Sequence, residues 1–308
     1  MDEKNSMNMH SPPQAETIET PTPKDHSFEP RDVRFGRNRE NKLKRHWLAG
    51  DPMATAFYNA LSLTFPRGEA FFIESVKAFR ETTPAKLQKE IRAFIQQEII
   101  HTREHVALNR RAVEDGYDTS RIEARIIESL EMTKDRPQIA NLAATMILEH
   151  FTAIMAQQII ANPKHFENAD TETANLWRWH ALEEIEHKAV AYDTWLYATR
   201  DWSRWQRWKV KALMMLIITK VFWINRSKDT LDLLAQDGIK GFGVKLKLAW
   251  FLLGRPGIAR KIIVPWIKFF LPGFHPWNED DRHLINLVES DFEDAILDAA
   301  KRPKPAAA

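Results

Sequence analysis

The sequence predicts an all-α fold: a four-helix bundle with a dinuclear metal core, followed by a helical C-terminal extension. Three observations carry this. Only 10 Gly stand against 11 Trp and 17 Phe in 308 residues, a composition for long helices rather than frequent turns. Stretches between Pro and Gly breakers carry apolar residues at three- and four-residue steps, the helical period. Two of these stretches hold the same Glu-x-x-His pattern, Glu98-Ile99-Ile100-His101 and Glu184-Ile185-Glu186-His187. Residues three or four apart share a helix face, so each pair presents its carboxylate and imidazole together.

Composition narrows the chemistry. The 44% hydrophobic content suffices for a large core, and a net charge of +2 gives no reason to expect a nucleic-acid partner. The chain has no cysteine, so disulfides, thiolate nucleophiles, iron–sulfur clusters and cysteine-type zinc sites are excluded. Carboxylates and imidazoles are the metal ligands left. No apolar run follows the first charges, so a secretory signal is not expected and the location expected is cytoplasmic.

In chain order, residues 1–45 read as a disordered tail that is rich in Pro, Thr and Glu and ends in a basic run over 31–46 (Arg31, Arg34, Arg37, Arg39, Lys42, Lys44, Arg45). Residues 46–201 read as the bundle. A short helical pattern from Asp51 stops at Pro66, and a new helix, with Pro66 at its first turn, runs to about Arg80. Thr83 is the candidate N-cap of the second helix, which ends near Gly116. Residues 119–133 form a shorter helix, 137–161 the third long one and 170–199 the fourth. The tight connections within each pair and the 21 residues between them (116–136) fit a ferritin-like bundle, which needs one long crossover there.

Each bundle helix should have a buried seam of alternating three- and four-residue steps. The second gives Leu87, Ile91, Phe94, Glu98, His101, His105, Leu108; the fourth gives Trp177, His180, Glu184, His187, Ala191. Buried ionisable groups are costly unless paired or metal-bound. A two-metal bundle adds one Glu from each remaining helix. Glu149 is the only charge in the third seam. In the first, Glu69 continues into apolar Phe72, Val76 and Phe79, whereas the Glu74 line holds Arg67, Lys77 and Glu81. The candidate ligands are therefore Glu69, Glu98, His101, Glu149, Glu184 and His187. His105 and His180 are additional ligands or partners that orient the ligands. A polar core network without metal is the plain alternative.

The runs Phe65-Pro66-Arg67-Gly68-Glu69, Gln97-Glu98-Ile99-Ile100-His101, Leu148-Glu149-His150-Phe151 and Trp179-His180 through His187-Lys188 resemble the bacterial ferritin-like family labelled "predicted metal-dependent hydrolase", over roughly residues 45–275. That label implies metal dependence without a mechanism. The spacing His180-x-x-x-Glu184-x-x-His187 is similar to that of p-aminobenzoate N-oxygenase-type di-iron enzymes. Their extra histidine on the last ligand helix implies that His180 is a ligand. His105 on the second helix departs from that pattern.

The ligand set suits two iron ions, with manganese or zinc as alternatives. The reading favoured from sequence is an oxygen-activating oxidoreductase acting on an apolar or lipid-like small molecule, with an unidentified electron donor. The alternatives are a hydrolase using a metal-activated water and a metal- or oxygen-binding ferritin-like protein without turnover. Residues 202–300 read as an aromatic, basic helical extension, and 301–308 as a disordered tail. Its apolar block between Lys211 and Lys220 is too short to span a bilayer. Trp205, Trp208 and Lys209 are candidates for the surface of a peripheral contact with the inner face of the membrane, and plain packing onto the bundle is the alternative. A homodimer is compatible with these features.

Overall fold

The structure is a computed structural model that describes residues 18–35 and 44–301. Among the described residues every regular element is helical: α1 (Pro52–Lys77), α2 (Ala85–Glu114), α3 (Ser120–Lys134), α4 (Gln138–Ala161), α5 (Thr171–His187), α6 (Val190–Ala198), α7 (Arg204–Gln236), α8 (Phe242–Leu253), α9 (Ile258–Lys261), α10 (Ile263–Lys268) and α11 (Arg282–Lys301). Helices α1 and α2 pack as one pair and α4 and α5 as another; α1 also meets α4, and α2 meets α5. These four helices surround the centre described below, and α3 lies in the segment expected for the crossover.

Local chemistry accounts for most boundaries. The Asp51 side chain accepts from Met53 N and Ala54 N, with Pro52 at the first position of α1. Gly116 closes α2 at φ +92°, where a side chain is disfavoured. Asp170 caps α5. Ser203 and Gln206 form a capping box at the start of α7.

Four expectations are corrected. Helix α1 does not stop at Pro66 but runs through it. A proline inside a helix leaves the carbonyl four residues earlier without a donor; here that carbonyl, Ser62 O, accepts from Asn109 Nδ2 at 3.0 Å. Thr83 does not cap α2: its hydroxyl donates to Arg80 O and Pro84 takes the cap position. The fourth helix is broken at Lys188 and Ala189 into α5 and α6. There the buried Lys188 amine binds Asp281 at 2.5 Å and Glu279 O at 2.9 Å. The fourth correction concerns the N-terminal tail. Residues 18–35 are an arm docked on the bundle, with Phe28, Val33 and Phe35 buried. Arg31 binds Glu186 at 2.7 Å and Glu183 at 3.4 Å, Thr22 donates to Asp193, and Tyr197 OH accepts from Ile18 N. The rest of the expected tail (1–17), the basic positions Arg37, Arg39 and Lys42, and the tail residues 302–308 lie outside the described residues.

The extension continues the core. Helix α7 packs on α1 and α4, and α11 on α5 and α4, with Met215, Leu233 and Leu234 fully buried. A buried ion cluster ties α7 to α1 and α3. Arg226 donates to Ala60 O at 2.6 Å and pairs with Asp229 at 2.6 Å; Arg125 pairs with Asp229 and Asp232, each at 2.5 Å. Helix α4 is the one described helix long and apolar enough to cross a membrane, but 72% of that apolar window is buried here as the core helix.

Among the described residues buried Lys211 has aromatic rings rather than a carboxylate beside it. Its amine lies 4.9 Å and 5.1 Å from the rings of Phe269 and Phe274, and burial lowers its pKa from 10.5 to about 8. The unfolded chain therefore holds this proton more tightly. The penalty is complete below pH 8 and fades as pH rises toward 10.5. Lys211→Met should stabilise the protein at pH 7 by roughly 1–2 kcal/mol, a few degrees in Tm, with a smaller gain at pH 10. Thermal melts at the two pH values check this.

Candidate metal centre

The six predicted ligands converge. Glu69 comes from α1, Glu98 and His101 from α2, Glu149 from α4, and Glu184 and His187 from α5; all are buried. Three sets place one ligand atom per residue within 4.8 Å of one another: Glu69, His101 and His180; Glu98, His101 and Glu184; Glu98, Glu149 and His187. Glu98 and His101 each belong to two sets. The Glu184 carboxylate lies 4.0 Å from His101 Nδ1 and 3.6 Å from His187 Nε2. Glu98 and Glu184 thus stand between a Glu69/His101 half and a Glu149/His187 half. Glu74, the rejected alternative, is exposed beside Lys77.

Eight ligand atoms of these six residues have no hydrogen-bond partner among the described residues: Glu69 Oε1, both oxygens of Glu98 and of Glu149, His101 Nδ1, Glu184 Oε2 and His187 Nε2. Buried polar atoms are nearly always satisfied, so eight orphans gathered in three overlapping groups fit divalent cations. Their outward atoms, by contrast, are held. His101 Nε2 donates to Glu183 at 3.0 Å, which leaves Nδ1 facing the centre. His187 Nδ1 donates to Gln97 Oε1 at 3.0 Å, and the Gln97 amide donates onward to Glu186. Thr102 donates to the outer oxygen of Glu69 at 2.7 Å. Such outer bonds fix ring orientation and raise ligand basicity.

Electrostatics agree. Burial, and then the Glu184 charge, push Glu149 up to about 8. Burial and Glu98 push Glu69 well above its ordinary range. For His101 burial acts downward but is outweighed by Glu183 and Glu98, which hold it at about 10. Carboxylates crowded in this way are relieved by positive charge in their midst.

His105 and His180 have different places. The Asn109 amide donates to Ser62 O, so its Oδ1 accepts the Ser62 hydroxyl at 2.6 Å. That hydroxyl is then an acceptor for His105 Nδ1–H at 2.8 Å, and His105 Nε2 accepts from His180 Nδ1–H at 2.7 Å. Burial first, then neighbouring imidazoles, hold both rings neutral, His180 at about 4 and His105 well below its usual value. His180 Nε2 is left as a lone pair 2.8 Å from Glu184 Oε1. Two acceptors at that separation fit a shared cation. The chain therefore aims His180 at the centre and keeps His105 one ring behind it.

A narrow apolar cleft with about 30 Å³ of free space ends at His180 and Glu184, its walls including Leu61, Phe65, Met155 and Trp177. That is room for a water molecule or two. Tyr58 also lines it, with a buried hydroxyl that has no partner among the described residues; burial raises its pKa well above the usual value, so it stays protonated.

The sequence reading missed Glu183, Gln97, Thr102, Ser62, Asn109 and Tyr58. The available signal was the row of three acids Glu183, Glu184 and Glu186 on one helix, with no Lys or Arg of α5 at helical spacing to offset Glu183 or Glu186. Their cation, Arg31, comes from the arm. The predicted surface residues lie at the start of α7 and belong to none of the three ligand groups. Trp205 is exposed, while Trp208 donates its indole N–H to Phe270 O at 2.8 Å and stacks on Trp205 at 5.0 Å, with Lys209 5.7 Å from the Trp205 ring. Trp208 is thus committed to packing.

Comparison with curated proteins and with solved structures gives no match. One family model does match, over residues 29–280, and it is described as "Predicted metal-dependent hydrolase". This description favours the hydrolytic alternative over the oxygen-activating reading preferred from sequence. With its buried glutamates and histidines grouped as above and most of its length covered by that model, the chain belongs to the predicted metal-dependent hydrolase family.

Proposed function

We propose that the protein is a hydrolase with a dinuclear metal centre that acts on an apolar substrate. Glu69, His101 and His180 would hold one ion and Glu149 and His187 the other, with Glu98 and Glu184 between them. The observation that carries the metal centre is the set of eight orphaned ligand atoms in three overlapping groups, and the family description supports hydrolysis. Bound there, two divalent ions supply Lewis acidity and an acidified water for hydrolysis, whereas a redox-active pair such as iron supplies electrons to dioxygen. The chain's own residues do the rest. The cleft at His180 and Glu184 admits water. At about 30 Å³ it holds only water as it stands, so substrate entry requires its walls to part; those apolar walls would then match an apolar substrate group, with the Tyr58 hydroxyl placed to donate to a polar oxygen. The donor set suits iron, manganese or zinc.

One observation supports the oxygen-activating alternative: the cleft walls are almost wholly apolar. The two readings separate cleanly. Metal-free protein reloaded with zinc or manganese without oxygen should hydrolyse p-nitrophenyl acyl esters at least a hundredfold faster than unloaded protein. No anaerobic turnover with any of the three metals, together with reductant-dependent dioxygen uptake by the iron form, would replace the hydrolytic reading with the oxidative one.

A further inference from the structure

Helices α7 to α10 form a layer with an unusual outer face. Leu213 and Leu216 on α7, Phe242, Leu246 and Trp250 on α8, and Val264 on α10 are each more than half exposed. On α8 the spacing of four places all three on one side, opposite the buried Val244, Leu248 and Phe251. Between α7, α8 and the α9–α10 segment lies an apolar cleft of about 540 Å³, within the usual range of ligand pockets. Trp223, Leu248 and Trp266 line it, and Phe151 of α4 reaches it. The indole N–H of Trp266 is spent on Thr219 at 2.9 Å, so its polar edge is satisfied. Leu253 and Ile263 belong both to the cleft lining and to the exposed set, so the cleft opens onto the apolar face.

The charge pattern says what covers this face. Residues 203–228 contain seven Lys and Arg and no Asp or Glu, with Lys211 and Arg226 buried and the other five at the surface or partly so; residues 238–278 again contain seven and none. With a whole-chain charge of only +2, the remainder is net acidic, and the basic charge is gathered on one layer. A second copy would set this surface against itself, with like charges opposed. An anionic bilayer offers both complements, apolar depth for the side chains and phosphates for the lysines.

We propose that the α7–α10 layer docks in the plane of an anionic membrane and that its cleft takes one acyl chain of an anionic phospholipid. No helix of the layer is apolar enough to span the bilayer, so the attachment is peripheral. Phe151 follows Glu149 by two residues on α4, roughly half a turn round, so one helix separates the lipid cleft from the metal centre. The proposal is independent of the chemistry performed there.

The test is co-sedimentation of the full chain with vesicles of phosphatidylcholine alone and of phosphatidylcholine with 30% (about three lipids in ten) phosphatidylglycerol, at low and high salt. Binding is expected only to the anionic vesicles, with release at high salt. Lys220→Glu, Lys245→Glu and Lys247→Glu together should weaken partitioning on the order of a hundredfold. Phe242→Ser with Leu246→Ser should weaken it without changing the salt dependence. Thermal melts of these surface variants should match wild type, which separates lost binding from lost folding. Wild type remaining in the supernatant with anionic vesicles at low salt, or a vesicle-independent dimer abolished by Phe242→Ser with Leu246→Ser, would overturn the proposal.

Discussion

Glu98→Ala and Glu184→Ala should each empty the centre, taking bound metal from two ions per chain to none. Both carboxylates stand between the two halves, Glu98 with an oxygen 3.3 Å from His187 Nε2 and another 3.8 Å from His101 Nδ1. Removing either deprives both ions at once, and the remaining carboxylates cannot close the gap from other helices. Glu69→Ala or Glu149→Ala touches one half and should leave about one ion. Exposed Glu74→Ala should leave two. His105→Phe removes the ring that aims His180 and should weaken binding roughly 10- to 100-fold while keeping the stoichiometry; His180→Ala should in addition alter the spectrum of a cobalt-substituted centre. Elemental analysis after loading reads all of these. Two ions retained by Glu98→Ala would overturn the bridging assignment.

Asp229→Ala should destabilise the folded protein by about 3–5 kcal/mol, because it leaves a buried guanidinium without its counter-charge. Arg226 is fully enclosed, with one nitrogen on Ala60 O and the other on Asp229, and Arg125 loses one of its two carboxylates. Denaturant titration measures the loss. The double change Arg226→Met with Asp229→Leu should recover most of it, since two apolar side chains replace a buried pair at little net cost. Wild type should unfold in one transition, because α7 shares its core with α1 and α4. A loss under about 1 kcal/mol, or separate melting of residues beyond 201, would show that the cluster does not join extension to bundle.

The seams were legible because a helix repeats its buried face every three or four residues. Four separate lines of that kind, each interrupted by acids or imidazoles at matching depth, were enough to select Glu69 over Glu74 and to bring α1, α2, α4 and α5 together. What periodicity reports is burial, not partnership. Pro66 read as a stop because its cost was judged within one helix, but the donor that satisfies Ser62 O is Asn109, on another helix. Residues 18–35 read as a tail because their own side chains are few and polar. Their fit exists only against distant partners: Arg103 and Glu104 on α2, and Glu183, Glu186 and Asp193, more than 150 positions on. Glu183 and Gln97 sit beside the seams, where a polar residue ordinarily meets solvent, and only the assembled fold turns those flanks inward.

The docked arm sets an order of events during synthesis. Residues 18–35 leave the ribosome early, yet Glu183, Glu186, Asp193 and Tyr197 follow only after α5 and α6 have been made. At roughly 5–20 residues per second the arm waits on the order of ten to thirty seconds for its seat. Once α5 is made, and until the arm settles on it, Glu183 and Glu186 lack Arg31 and the flank of His101 and His187 stands uncovered. The acidic side of the nascent bundle is then an open port for divalent cations. Docking of Phe28, Arg31 and Phe35 covers that side, so metal taken up before docking should exchange slowly in the finished protein.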